Sequence, residues 1–240
     1  MSNNAVLAID TATAVFSVAL SSGAEQWYFE ADAGTRHSQL IMEITDFLLK
    51  KAGIKPGELS LLACMKGPGS FTGLRIGMSA VKGLALSLGL PFISVPSLDC
   101  MAYPCSFWPS LVLPAIDAKK KSYYCALYLN GTKLTADMDA DSDAIAAAIN
   151  EHGSKHIPGH LQRQVLVTGP DAGNLHNELS GKAELENFTL SVAPGCRSGS
   201  ARELLAIAKM YEIPNNESID YNCGPEYIRK SDAEQNTGIK

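Results

Sequence analysis

Apolar and polar positions follow two rhythms along this chain, and together they predict an α/β protein. Val6–Ile9 is a short apolar run that ends in the small, hydroxylated turn Asp10-Thr11-Ala12-Thr13. Strand-like Val15–Leu20 follows, then Ser22-Gly23 and Trp27–Glu30, a three-strand meander with an acid at its first turn. From Arg36-His37-Ser38-Gln39 the period lengthens to that of a helix over about 38–52, stopped by Gly53 as a C-cap residue. Leu40, Ile41, Ile44, Phe47 and Leu48 are its expected core face.

The next stretch, Lys66–Ser87, organises the first half. After the apolar strand Leu61–Met65, a glycine-rich turn from Gly67 to Gly73 opens a helix of about 72–88. One face of that helix, Gly73, Gly77, Ala80, Leu84 and Ser87, is nearly free of bulk, and only Arg75, Ser79 and Lys82 make a polar stripe. Each interior glycine costs a helix about 1 kcal/mol relative to alanine, so close backbone approach to another element is expected in return. The preceding helix carries a second low-polarity stripe as well, Ser38, Met42, Thr45 and Leu49. Two readings fit the paired stripes: a helix–helix contact with another chain, or an internal packing layer.

Phe92–Val95 reads as a strand, and Ser97 as the cap of a short helix through Tyr103. After a Pro-rich crossing at 104–109 the pattern begins again. Apolar Leu111–Ile116 ends in Asp117-Ala118-Lys119, strand-like Tyr123–Leu129 leads to an Asn130-Gly131 turn, and Asp143 is the expected cap of a helix over Ala144–Glu151. Val165–Val167 then runs into Gly169-Pro170-Asp171, echoing Gly67-Pro68-Gly69. Acids and Gly-Pro turns recur at nearly one spacing, which predicts a duplicated unit and two lobes: 1–98 with 199–240, and 99–198. Ser200-Ala201-Arg202-Glu203 reads as a capping box for a last helix to about Glu212, ended by Pro214, and Gly224–Arg229 as an extended tail.

Composition narrows the function classes. The 240 residues are 46% apolar with a formal net charge of −5, which gives no support to charge-driven binding of nucleic acid. No apolar stretch reaches the ~18 residues of a membrane span, so a cytoplasmic protein is expected. The six cysteines show no C-x-x-C pair, hence neither a zinc ribbon nor a disulfide scaffold, and Cys125 reads as core. The glycine turn is not a P-loop, because Leu74-Arg75 follow Gly73. Nor is it a dinucleotide fingerprint, because the third glycine comes late and no acid follows the next strand.

Three constellations remain. His152, His156 and His160 have helical metal-site spacing, but Gly153, Pro158 and Gly159 favour a solvated loop. Asp137-x-Asp139-x-Asp141-x-Asp143 resembles the start of a calcium loop but lacks its glycine and its closing glutamate, and reads as a solvated turn. Asp10 and Asp117 carry two readings: a metal–phosphate site with hydroxyls such as Thr11 or Thr13, or two acids that each cap their own turn.

Ala8-Ile9-Asp10-Thr11-Ala12-Thr13, Arg36-His37-Ser38-Gln39, Gly67 to Ala85, Val95-Pro96-Ser97-Leu98, Ile116-Asp117-Ala118-Lys119 and Pro225-x-Tyr227-Ile228-Arg229 together resemble the TsaB (YeaZ) family. The resemblance implies the actin/hexokinase-like (ASKHA) form of a duplicated ribonuclease-H-like fold. It also implies a non-catalytic role in making threonylcarbamoyladenosine beside the anticodon of ANN-decoding tRNAs, as partner and activator of the related TsaD, with TsaE as an accessory ATPase. Where TsaD has an H-x-x-x-H metal pair this chain has Ser97 and Met101. Where family ATPases have a second glycine-rich phosphate loop it has Asp117-Ala118-Lys119-Lys120-Lys121-Ser122, and Gly169 is the one glycine left of an adenosine-binding pair.

Asp10, Thr11, Asp117, Lys119 and Gly169 are therefore vestigial nucleotide-site candidates. No cofactor or metal is expected on the isolated chain, a nucleotide entering only at an interface shared with a partner. Expected partners are a TsaD homologue, a TsaE homologue, tRNA indirectly through the complex, and a second copy when the chain is alone. Ser38, Met42, Thr45, Leu49, Gly73, Gly77 and Ala80 are the expected interface, where a charge at Met42 or Gly77 should break association. The alternative is a self-sufficient ASKHA-type ATPase or kinase, or a glycoprotease-like hydrolase; the latter lacks a G-x-S-x-G elbow around Ser70.

Overall fold

A computed structural model describes residues 5–158, 163–211 and 223–229. The expected polar start, His160 and Pro214 lie outside the described residues, and the last helix, expected to about Glu212, ends at Ala208. The chain divides into two compact units, residues 1–100 with 199–226, and 101–198 with 227–240.

In the first unit β1 (Ala5–Asp10), β2 (Val15–Ser22) and β3 (Glu25–Asp32) form the meander, followed by α1 (His37–Ala52). Next come β4 (Leu59–Gly67), α2 (Phe71–Leu88), β5 (Phe92–Pro96) and α3 (Ser97–Ala102). The sheet order is β3-β2-β1-β4-β5, with the meander antiparallel and β1-β4-β5 parallel. β1 is buried along its whole length because helices cover both of its faces. On one face α1 and α2 pack over Leu7, Ile9, Phe16, Val18 and Leu62; on the other, α6 (Ala201–Ala208) packs Leu204 and Leu205 against Val6, Ala8 and Ala63.

The second unit repeats this order. It runs β6 (Leu111–Lys119), β7 (Ser122–Cys125), β8 (Tyr128–Leu129), β9 (Thr132–Lys133) and β10 (Met138–Ala140). Then follow α4 (Ser142–His156), β11 (Gln164–Thr168), α5 (Ala172–Leu179) and β12 (Thr189–Val192). The order β10-β7-β6-β11-β12 matches the first sheet strand for strand, again antiparallel in the meander and parallel beyond it; β8 and β9 are additions beside β6. This is the duplicated ribonuclease-H-like arrangement.

Several sequence expectations need correction. The buried face of α1 is Ile41, Ile44, Thr45, Leu48 and Leu49, while Phe47 is 46% exposed. The Thr45 hydroxyl donates to the Ile41 carbonyl at 2.7 Å, which lets a threonine be buried on this face. The single strand expected over 123–129 is interrupted after Cys125. The α4 cap is Asp141, whose Oδ1 accepts the Ala144 N–H at 2.9 Å, and the helix continues through Gly153 to His156. Gly153 is accommodated because its bare backbone seats the Phe188 ring; a Cβ there would lie 2.5 Å from it.

Candidate functional site

The turn after β1 is the densest polar feature of the first unit. Asp10 is 1% exposed, and both of its oxygens are engaged: Oδ1 accepts the Ala12 N–H at 2.9 Å and Oδ2 accepts the Ser200 N–H at 2.9 Å. Beside it, Ser17 Oγ accepts the Ala201 N–H at 3.1 Å and Glu30 Oε2 accepts the Gly199 N–H at 3.2 Å. Three successive amides at the start of α6 are thus met by side chains from β1, β2 and β3. Helix N-termini leave such donors unpaired and attract anions; here the protein supplies the acceptors itself. The expected capping box is absent, since Ser200 makes no side-chain cap bond.

Burial pushes the Asp10 carboxyl above its ordinary value of 3.8, against the bonds from Ala12 and Ser200 and the nearby His37. Glu203, in α6, is also raised by burial, with Asp10 and Glu30 adding repulsion. Stability tied to Asp10 is therefore fully present below 3.8 and is lost as pH rises through the raised value. Asp10→Asn should flatten that part of the pH dependence, leaving the part due to Glu203. It should also cost about 1–3 kcal/mol, because one amide loses its acceptor. Urea denaturation of both proteins from 3.8 up to neutral pH checks this; an unchanged slope would mean that Asp10 does not titrate as a buried acid.

Thr11 is spent in the same way. It is 2% exposed, and its hydroxyl donates to the Gly73 carbonyl at 2.7 Å. Gly73 and Gly77 are explained by this contact: a Cβ on Gly73 would sit 2.0 Å from the Thr11 carbonyl oxygen, and one on Gly77 2.2 Å from its hydroxyl. Ser70 caps α2 by accepting the Gly73 N–H at 3.2 Å, and its own N–H donates to the Ala12 carbonyl at 2.7 Å. Gly73 and Gly77 face inward, as do Thr45 and Leu49 of α1. Four of the seven expected interface residues are therefore buried within their own unit, and the expected outward face does not contain them.

The second unit has a parallel arrangement. Asp117 Oδ1 accepts the Lys119 N–H at 2.7 Å, the same two-residue turn that Asp10 makes, and its Oδ2 pairs with Lys119 Nζ at 2.6 Å. Burial works against ionisation of Asp117, but the bonds from the Lys119 side chain and amide outweigh it and hold the carboxyl below 3.8. The Asp117 N–H donates to Asp171 Oδ2 at 2.8 Å. Gly169, at φ 90°, lies against the Ala115 carbonyl, where a Cβ would be 2.6 Å away. Lys119, Lys120 and Lys121 all have left-handed φ of 55–63°, a conformation that disfavours residues with a Cβ. Arg229 holds this turn: it bonds Ala118 O at 2.8 Å, Ser122 Oγ at 2.7 Å and both oxygens of Asp139 at 2.7 Å.

Asp139 is thereby neutralised, Asp137 pairs with Lys133, Asp143 with Lys182, and Asp141 caps α4. The aspartate run is a set of local pairs rather than a cation loop. Sequence reasoning missed Ser17, Tyr28 and Glu30 as the α6 clasp; the available signal was Ser17, a polar residue in the middle of the apolar strand β2. Tyr28 completes it, its hydroxyl 2.6 Å from Glu30 Oε2 and 3.0 Å from the Gly199 carbonyl.

A family model described as TsaD, tRNA N6-adenosine threonylcarbamoyltransferase, matches residues 31–236. Among curated relatives, the tRNA threonylcarbamoyladenosine biosynthesis protein TsaB of Escherichia coli K12 is 41% identical over 128 residues, 51% of this chain and 54% of that protein. The chain belongs to the TsaB/YeaZ family. TsaB of Bacillus subtilis 168 is 32% identical over 143 residues, 60% of each chain. A tRNA N6-adenosine threonylcarbamoyltransferase of Nitratidesulfovibrio vulgaris is 37% identical over 84 residues, 35% of this chain and 23% of that one. The chain spans little more than half the length of the curated TsaB relatives it matches. The solved structure of YeaZ from Pseudomonas aeruginosa shares the fold, with a TM-score of 0.69 at 23% identity over 94% of this chain and 100% of that one. Against this TsaB/YeaZ background the Asp10 turn is a closed structural clasp. As a ligand for a metal–phosphate ion Asp10 does not fit, because it is buried and both oxygens are committed to amides.

Proposed function

We propose that the protein is a non-catalytic subunit of the assembly that transfers a threonylcarbamoyl group to the adenosine beside the anticodon of ANN-decoding tRNAs, acting as partner and activator of a TsaD-type transferase with a TsaE-type ATPase. The observation that carries this reading is the commitment of Asp10 to the amides of Ala12 and Ser200, which leaves no acid at the first turn free for phosphate chemistry. Ser97 and Met101, at the positions of the transferase's metal pair, are buried at 0% and 5% exposure.

The contact surface in this reading is the outer side of α1 and α2. Met42 and Phe47 are 52% and 46% exposed, Leu86 is 73% exposed, and Ser38 is exposed too, with Ala80 half-buried beside them. Gly83 supplies the sharper argument. Unlike Gly73 and Gly77 it is exposed, and a Cβ there would meet no atom of the described residues within 4 Å, so none of them requires a glycine that costs the helix about 1 kcal/mol. Close approach of another chain would supply a reason. Alone, the same face would pair two copies.

The test is reconstitution of threonylcarbamoyl transfer to an ANN-decoding tRNA with a TsaD-type and a TsaE-type protein, with and without this chain. Transfer that does not depend on added chain would sink the reading. Within the same assay Gly83→Ala should stabilise the isolated chain by up to about 1 kcal/mol while weakening its association. Tight binding of Mg-ATP to the isolated chain that disappears in Asp10→Asn would instead favour a self-sufficient ATPase.

A further inference from the structure

We infer that the last turn of α4 carries a binding site for a late first-row divalent metal, with His152 and His156 as its two protein ligands. The sequence placed these residues in a loop. The structure continues α4 through Gly153 to His156, which sets the two imidazoles one turn apart on the same helical face. Their rings are 5.8 Å apart between centroids and within 8° of parallel. His152 Nδ1 is buried and has no hydrogen-bond partner among the described residues, so no bond within them fixes the tautomer of the ring. His156 is exposed at the end of the helix.

The chemistry selects the ion class. Imidazole suits zinc, nickel and copper, at about 2.0–2.1 Å from nitrogen in the case of zinc. Magnesium and calcium need oxygen ligands and are not expected to compete. Two side chains from one helix fill two coordination positions and leave the others to water, so the site is open, and Cu(II) should bind more tightly than Ni(II) or Zn(II). Binding would also act on the fold. The turn it spans contains Gly153, a weak helix former, and an ion held at both ends of that turn fixes it in the helical state.

The experiment is titration of the full chain with Cu(II), Ni(II) and Zn(II) by calorimetry, beside His152→Gln, His156→Gln and the unrelated surface variant His176→Gln. Expected are one site per chain, the order Cu(II) tightest, and a rise in Tm with each metal. Loss of either α4 histidine should weaken binding by more than the about 10- to 100-fold typical of losing only a supporting partner of a ligand. His176→Gln should leave it unchanged. In the wild type, the electron paramagnetic resonance of bound Cu(II) should show coupling to two imidazole nitrogens, a readout that needs no variant to fold. Binding that survives one of the two α4 substitutions at full strength, or coupling to a single imidazole, would overturn the shared site.

Discussion

Gly73→Ala should destabilise the protein by about 3 kcal/mol or more, at the upper end of what overpacking a core costs. The added Cβ would lie 2.0 Å from the carbonyl oxygen of Thr11, a main-chain atom in the turn that Asp10, Ser70 and α2 hold together from three sides. A flexible side chain could move aside; this backbone can do so only by pulling α2 away from β1. Gly83→Ala, on the same helix, is the control with the opposite sign, because no atom of the described residues would lie within 4 Å of its Cβ. Urea denaturation of the two variants measures the contrast. A neutral Gly73→Ala would mean that α2 does not approach the β1 turn as closely as described.

Met42→Asp combined with Leu86→Asp should abolish association while leaving the isolated chain folded. Both side chains are more than half exposed, so in the free protein each change should stay within about 0.5 kcal/mol. If another chain covers them, each carboxylate becomes a buried charge without a partner, at about 3–5 kcal/mol, or more than about a hundredfold in affinity. Sedimentation velocity follows self-association, calorimetry follows binding to a TsaD-type protein, and circular dichroism follows the fold. If both assemblies survive, the interface lies elsewhere. A charge at Gly77, which the sequence alone also recommended, is no test of the interface: Gly77 faces Thr11, and Gly77→Glu would disrupt the unit itself.

The same contrast shows why the outward face was only half legible. In Ser38, Met42, Thr45 and Leu49 the period of the helix was right, but polarity could not say that Thr45 turns its hydroxyl back onto the Ile41 carbonyl and is buried with Leu49. In α2 the glycines rightly signalled close approach. What approaches is the first turn of the same unit for Gly73 and Gly77, and no atom of the described residues for Gly83. Identical residues in one helix carry different meanings because the cost of a Cβ depends on what stands opposite it. Likewise Gly153 read as a helix breaker, since its value lies in the Phe188 ring that packs against it from far along the chain.

By itself the sequence determined the duplicated order of elements, since strand and helix periods, Gly caps and the Asp and Gly-Pro turns are local signals that recur in both halves. The two matching sheet orders follow from that repetition. It also determined the family, through motifs spread from the first strand to the tail. Only the tertiary structure decided the state of Asp10. A carboxylate in a turn looks the same in sequence whether it faces a phosphate or the amides of a helix that arrives 190 residues later. Hydrogen-bond acceptors are local, but their partners here are not, and at Asp10 that long-range partner separates a phosphate site from a structural clasp.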